Sequence, residues 1–439
     1  MKETLKKLIS PQSVFLYHNY LRSRAATLAN GSPSKKMIVI GVTGTKGKTS
    51  TINFIWSCLT AGGYKTGIIS TANIRIGNEE KLNQYHMTMP NAQVIQSLMA
   101  QMVAAGCKYC LVETTSEGIK QFRHIGIKYD IAVFTNLTPE HLQSHNGSFA
   151  EYKKMKGKMF LAISHHNKII DGKKIDKTII ANVDSEHTNY FLAAPADQKI
   201  KFSLNDKSDY KAEDVRETND GVSFKLGNNK FKLSILGKFN VYNALPAIII
   251  ARLARIDDAK IATGLTELTI IPGRMELINE GQDFTVVVDY AHEKESITNV
   301  LNTANHMKPA SAKTIILLGA EGGGRDKAKR PIMGELSAKL ADYVVVSNVD
   351  PYEDDPKEIL EDIATSAEKH GKVRNKDLFV VEDRTNGIRQ ALTLAKKGDI
   401  ALITGKGAEQ SIVIGGKESP WDDRTVVREQ LRQLSEKTE

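Results

Sequence analysis

The stretch MIVIGVTGTKGKTSTINFIWSCLTAGG, residues 37–63, decides the fold. It opens on an apolar, β-branched run, MIVIGVTG (37–44). Such a run reads as a strand buried on both faces. A helical stretch, INFIWSCLTAGG (52–63), follows. The connection between them is GVTGTKGKTST (41–51), and it opens a helix near residue 48. Glycines there let the backbone come close to an anion, which then faces successive N–H groups and a helix start. Lys48 is placed to reach the outer phosphates of a nucleotide, and the Thr49 hydroxyl to bind Mg2+. Gly44, Thr45, Lys46, Gly47 and Ser50 complete the cradle. The spacing departs from a strict G-x-x-x-x-G-K-[ST], because Val42 stands five before Gly47. Gly41 and Gly44 flank that slot.

Outward from this loop, KTGIIST (65–71), CLVETT (110–115), IAVFTNL (131–137) and TIIANVD (178–184) read as further buried strands. AQVIQSLMAQMVAAG (92–106) reads as a helix between two of them. Strand–helix alternation predicts a parallel, doubly wound sheet. Residues 198–236 are polar and turn-rich, with KAEDVRET (211–218) and GNNKFKLSIL (227–236). They predict antiparallel strands. A second α/β run begins near residue 274, with FTVVVDYA (284–291), KTIILLGA (313–320), DYVVVSNV (342–349), DLFVVE (377–382) and DIALITG (399–405) as strands. IIPGR (270–274), with its Pro and Gly, suits a hinge. The expected fold is α/β. A short N-terminal helical segment (1–36) precedes a central P-loop domain (37–271) with a parallel sheet and an antiparallel flank. A Rossmann-like C-terminal domain (272–439) follows.

The bulk numbers agree with that division. A chain of 439 residues, 41% hydrophobic and 25% charged, suits a soluble protein of two or three domains. No apolar run approaches the roughly 20 residues of a membrane span. The start, MKETLKKLISPQSVFLYHNY, has lysines but no sustained apolar core, so it reads as a helix and not a signal peptide. Three cysteines cannot build a disulfide framework, which points to the cytoplasm. Cys107 and Cys110 form a C-x-x-C without a second pair and read as core. The net charge of +9 suits anionic small-molecule substrates. Lysines are scattered rather than interleaved with aromatics, which argues against nucleic acid. A monomer is expected.

The loop and a series of later segments resemble the Mur ligase superfamily. The segments are LVETTS (111–116), FTNLTPEHLQSH (134–145), YKKMKGKMF (152–160), LGKFNVYNALPA (236–247) and IPGRMELI (271–278). VVDYAHEKESITNVL (287–301), GGGRDKAKRPIMG (322–334), ITGKGAEQ (403–410) and WDDRTVVREQL (421–431) complete the series. The last five are most similar to the UDP-N-acetylmuramoyl-tripeptide synthetase branch, which adds the third residue of the peptidoglycan stem peptide.

The resemblance implies an ATP-dependent ligase. The γ-phosphate of ATP moves to a substrate carboxylate, and an amine attacks the acyl-phosphate. It implies two Mg2+ ions, with Thr49 and Glu113 on the first, and His141 and Lys156 on the second. A protonated lysine cannot bind a metal, and the family carbamylates it, so Lys156 is expected as a carbamate. Lys48, Glu113, His141 and Lys156 are then the catalytic set. Taken alone, Glu113 would read as a surface acid at a strand end. Asn243 is expected at the adenine, Arg274 at the phosphates and Asp289 at the ribose. Thr88, Thr115, Ser116 and Arg123 match positions that touch the acyl acceptor. Glu117 stands where the family has a histidine. The resemblance also implies a uridine-binding domain at the start, where this chain has 36 residues, including Tyr17, His18 and Tyr20.

For the incoming amino acid, Val349-Asp350-Pro351-Tyr352 stands where diaminopimelate-selecting relatives have D-N-P-R. Replacing that arginine by tyrosine removes bidentate carboxylate recognition. Asp350 adds a charge that could pair with an amine. Lysine, ornithine or a neutral amino acid is therefore expected over diaminopimelate. Gly405 and Glu409 match the family's G-K-G-H-E, with Ala408 in place of the histidine. Two other readings stay open. One is a glutamate ligase similar to folylpolyglutamate synthetase. The other is a partner-dependent or non-catalytic Mur-like subunit.

Overall fold

Strand β1 (Ile38–Thr43) lies deep inside the larger sheet, with five of its six residues buried. The computed structural model describes residues 11–140, 142–218 and 220–436. They form two compact units. The first comprises the chain to Val215 with Ser223–Lys232 and Val241–Leu268. The second comprises Arg216–Val222, Leu233–Asn240 and the chain from Thr269.

Beyond β1, the larger sheet contains β2 (Thr66–Ile69), β3 (Asn73–Ile76), β4 (Glu79–Leu82), β5 (Tyr109–Glu113) and β6 (Ile131–Phe134). After a separate small hairpin, β7 (Ile169–Ile170) and β8 (Lys173–Lys174), it continues through β9 (Thr178–Asn182) and β10 (Gln198–Ser203). The last three strands are β11 (Tyr210–Thr218), β12 (Gly221–Leu226) and β13 (Asn229–Leu233). The strand order is β13-β12-β11-β10-β9-β6-β1-β5-β2-β3-β4. The middle, from β10 to β2, is parallel throughout. At one edge β3 and β4 turn antiparallel.

The other edge departs from the expectation that residues 198–236 are all antiparallel. β10 runs parallel to β9, and β11 enters parallel to β10. The reason is the connection: a helix, Thr188–Leu192, carries the chain back over the sheet before β10. A crossover of that kind delivers a parallel strand. The polar alternation of β10 reports half-exposed faces, not strand direction. Only β12 and β13, joined by two residues, show the tight hairpin expected there.

The helices around this sheet include α1 (Pro11–Ala29), α2 (Lys48–Ala61), α3 (Ala92–Ala104), α4 (Ser116–Lys120) and α5 (Phe149–Ile163). Among the described residues no helix is long and apolar enough to cross a membrane. The core beneath α3 and α5 joins Val39, Val112, Ala132 and Ile179 to Met99, Met159 and Phe160. Phe134 stacks on Phe191 with centroids 4.1 Å apart. Each such large side chain contributes about 1.5–3 kcal/mol on burial.

One buried charge lies below the sheet's middle strands. Asp130, fully buried, accepts the Val39 N–H at 2.9 Å and the Lys177 ammonium at 2.7 Å. Lys168 donates to the same carboxylate and to the carbonyls of Ser34 (2.8 Å), Met37 (2.9 Å) and Lys128 (2.8 Å). The set ties the start of β1 to the start of β6 and to the turn at Pro33–Lys36. Burial pushes the Asp130 carboxyl up, but the hydrogen bonds and lysines around it outweigh this and hold it below its ordinary range.

The second unit has a six-stranded sheet. Its strands are β14 (Glu276–Ile278), β15 (Thr285–Asp289), β16 (Thr314–Leu318), β17 (Tyr343–Val346), β18 (Leu378–Val380) and β19 (Ile400–Thr404). The order is β14-β15-β19-β16-β17-β18, parallel except for β14. β16 and β19 are buried along their whole length, as the unbroken apolar runs predict. A small hairpin, β20 (Ser411–Ile414) and β21 (Lys417–Pro420), follows β19. The loops after β15, β17 and β19 carry Asp289, Asp350 and Gly405, at the sheet edge where such folds bind ligands.

Removing Asp130 strands two buried ammonium groups. Asp130→Ala should therefore cost about 3–5 kcal/mol of first-unit stability. Urea unfolding followed by circular dichroism checks this. A loss below about 1 kcal/mol would place the pair among those that contribute little net stability.

Candidate active site

The phosphate loop is shaped by what lies under it. Gly44 has φ +156°, and a Cβ there would stand 2.0 Å from Thr135 Oγ1 and 2.9 Å from the Asn136 carbonyl. Gly47 has φ +82°, and its Cβ would meet Asn243 Oδ1 at 2.1 Å. Both positions require glycine for backbone angle and for space. The FTN segment after β6 braces the loop. Asn136 accepts the Thr45 N–H on its carbonyl (2.9 Å) and the Lys46 N–H on its side chain (2.8 Å). The Thr135 hydroxyl donates to the Lys46 carbonyl at 2.7 Å. α2 then starts at Lys48, and Ser50 is buried in its first turn.

Glu113 ends β5 and stands opposite Val42 of β1. It is buried, and its Oε2 accepts the Thr49 hydroxyl and the Thr71 N–H, each at 2.9 Å. Lys48 Nζ lies 4.0 Å from Glu113 Oε1 and donates to the Gly44 (3.2 Å) and Thr45 (2.9 Å) carbonyls. Lys156 reaches the same carbonyl of Gly44 from α5, at 2.7 Å. α5 starts at a Ser148 cap, and its Tyr152 hydroxyl lies 3.2 Å from Thr45 Oγ1. The Lys156 ammonium sits 4.6 Å above the Tyr152 ring. Burial, with Lys48 as a like charge beside it, lowers the Lys156 pKa well below that of an ordinary lysine. Glu140 and Glu113 oppose that shift without cancelling it. Glu140 also pairs with Lys46 at 2.9 Å. The structure thus brings Lys48, Thr49, Glu113 and Lys156 around Gly44, with Asn243 beside Gly47. His141 lies outside the described residues.

The acceptor candidates form a second group in the same unit. The Thr88 hydroxyl bonds the Thr71 hydroxyl at 2.8 Å, and Thr71 in turn holds Glu113. Arg123 donates to the Met89 carbonyl and to Gln121, so it holds the segment that carries Thr88. The Thr115 hydroxyl caps α4, accepting the Gly118 N–H at 3.1 Å, and Ser116 is buried beside it.

In the second unit, Arg274 stacks 4.4 Å from the Tyr290 ring. Asp289 accepts the Met275 and Ala291 N–H groups, each at 2.7 Å. Asp350 is not an open charge, as its sequence position suggested. It is 1% exposed, and its carboxylate takes the Lys406 ammonium at 2.6 Å and the Val413 N–H at 2.8 Å. A carboxylate so buried needs a partner. Lys406 also lies 2.7 Å from Glu409, whose other oxygen accepts the Tyr290 hydroxyl at 3.0 Å. Tyr352 has φ +55°, a left-handed conformation, with its N–H on the Val413 carbonyl at 3.2 Å.

Sequence reasoning missed Arg384. Its buried guanidinium donates to the Asn348 carbonyl (3.0 Å) and to the Thr404 carbonyl (2.9 Å). It is held by Asp423 at 2.8 and 2.6 Å, and Trp421 Nε1 donates to Asp423 as well. One group therefore fixes the two strand ends that carry Asp350 and Gly405. The motif WDDRTVVREQL contained the available signal, an acid in an otherwise amphipathic helix start.

A family model for the Mur ligase middle domain matches residues 42–251. A second, for the Mur ligase glutamate ligase domain, matches residues 273–407. The UDP-N-acetylmuramyl-tripeptide synthetase of Roseiflexus sp. (strain RS-1) is 36% identical over 412 residues, covering 92% of this chain and 80% of that protein. The UDP-N-acetylmuramoyl-L-alanyl-D-glutamate–2,6-diaminopimelate ligase of Geobacillus kaustophilus (strain HTA426) is 34% identical over 411 residues, with the same coverage. Among solved structures, a diaminopimelate ligase of that same description superposes with a TM-score of 0.61 at 26% identity, covering 97% of this chain and 84% of that one. The Mycobacterium tuberculosis folylpolyglutamate synthase complexed with ADP and AMPPCP gives a TM-score of 0.70 at 18% identity, over 94% and 95% of the two chains, and shares the fold. The chain belongs to the Mur ligase family and is an ATP-dependent ligase of that type.

Proposed function

We propose that this ligase joins an amino acid to the carboxylate of a muramyl-peptide precursor of peptidoglycan. The observation that carries this is the gathering of Lys48, Thr49, Glu113 and Lys156 around the Gly44 turn. The names of the relatives above supply the substrate class.

In this reading an acceptor carboxylate oxygen attacks the γ-phosphorus of ATP, and ADP leaves. The amine nitrogen then attacks the acyl carbon, phosphate leaves, and the nitrogen loses a proton. The first step is mainly positioning and charge neutralisation. The loop N–H groups and Lys48 meet the phosphate charge. The Thr49 hydroxyl and Glu113 carboxylate are hard oxygen donors that fit Mg2+, and two such ions would neutralise the transferring phosphoryl group. His141 and Lys156 belong to the second of them. Asn243 lines the adenine, while Arg274 and Asp289 serve the phosphates and ribose. Thr88, Thr115, Ser116 and Arg123 shape the acceptor side.

Lys156 is suited to carbamylation by its burial. The uncharged amine attacks CO2, and a low pKa favours that form. The carbamate would present anionic oxygen where the ammonium now lies.

The amino-acid side lacks the arginine that would fork onto a distal carboxylate, because Tyr352 stands there. Lysine, ornithine or a neutral residue therefore fits better than diaminopimelate. Gly405 and Glu409 face the same substrate. The enzyme is proposed to act as a monomer in the cytoplasm. One chain carries every residue assigned, and its cysteines are free and buried.

Phosphate release with UDP-N-acetylmuramoyl-L-alanyl-D-glutamate as acceptor tests the substrate reading. Lysine should exceed diaminopimelate by about tenfold or more, the worth of one lost charge-assisted contact. Tyr352→Arg should narrow that ratio. Faster turnover of diaminopimelate by the unaltered enzyme would overturn the preference. For Lys156, 13C-bicarbonate should give a carbamate signal by NMR that is missing in Lys156→Ala. Full activity after CO2 removal, with no such signal, would refute the carbamate.

A further inference from the structure

Asp350, Lys406 and Glu409 form a buried trio in the second unit that the reaction scheme does not explain. Lys406 has no exposed side-chain surface and Asp350 has 2%, but Glu409 keeps 16%. Lys406 Nζ lies 2.6 Å from Asp350 and 2.7 Å from Glu409. Asp350 cannot swing away, because the Val413 N–H holds its second oxygen at 2.8 Å. Glu409 is oriented by the Tyr290 hydroxyl at 3.0 Å. Two carboxylates share one ammonium, so the trio carries one uncompensated negative charge. The nearest other acid, Glu321, is already matched by cations, with Arg325 at 3.6 Å and Lys329 at 3.9 Å. The surplus can reach solvent only through Glu409.

We infer that Asp350 is a positioning residue that draws Lys406 away from Glu409 and so keeps the Glu409 carboxylate available to the ammonium group of the incoming amino acid. This rests on the proposed ligase reading. With a neutral residue at 350, Lys406 would belong to Glu409 alone. The pair would be closed, and an incoming cation would meet no net charge. A carboxylate oxygen that accepts one hydroxyl still has a second acceptor site, so the Tyr290 contact leaves room for the amine. Asp350 thus acts at one remove, as a counter-charge to a lysine that it shares with the substrate's partner.

The test is a charge-balance cycle on the full-length enzyme with ATP, acceptor and lysine. Asp350→Asn should raise the KM for lysine about tenfold, with kcat and the KM for ATP unchanged. The double variant Asp350→Asn/Lys406→Met regains the single negative charge, and its KM should return to within about threefold of the parent. A residue that merely supports the fold would not be rescued by removing a second buried charge. An unchanged KM in Asp350→Asn, or a double variant as weak as the single, overturns the inference and leaves the ligase reading standing. Lysine binding by calorimetry separates the two claims. The same pattern in binding without turnover keeps the inference and sinks the ligase reading. No lysine binding to the parent enzyme overturns both.

Discussion

Val42 of β1 and Glu113 of β5 stand side by side across a parallel ladder, and the chemistry of the first unit follows from that pairing. Parallel register puts the ends of β1, β5 and β6 at one edge of the sheet. β1 gives way to the phosphate loop, β5 delivers a carboxylate, and β6 delivers the Thr135–Asn136 brace. A one-residue slip would turn Glu113 to the opposite face, away from the Thr49 hydroxyl. The buried Asp130 set anchors β1 and β6 at their other ends, where the same two strands begin. Register is therefore held at both ends of the strands that carry the loop.

Local chemistry was legible in the sequence where backbone geometry demands a particular residue. Gly44 and Gly47 announce the loop because no side chain fits there. The all-apolar strands announce a sheet covered on both faces. Strand direction was less legible at β10, since its side-chain pattern records exposure, while direction is set by the helix that precedes it. The antiparallel pair β3 and β4 went unread for a related reason: four-residue strands offer too short a period to see.

Side chains that act through distant partners were the least legible. Asp350 reads as an open acid until Lys406, fifty-six positions on, is placed against it. Lys156 reads as one of several helix lysines, and only its burial beside Lys48 sets it apart. Arg384 carries no motif, because its work is done on two backbone carbonyls, which any sequence possesses. Charge identity is written in the chain. Desolvation and partnership belong to the fold.

The Arg384 clamp separates two tasks that many binding sites combine. It positions the strand ends at Asn348 and Thr404 through main-chain atoms alone. The side chains that follow them, at 350–352 and 405–409, are free to vary without disturbing that placement. Substrate preference can therefore drift by single replacements on an unchanged frame. Selection can retune which amine is accepted while the scaffold that presents it is inherited intact.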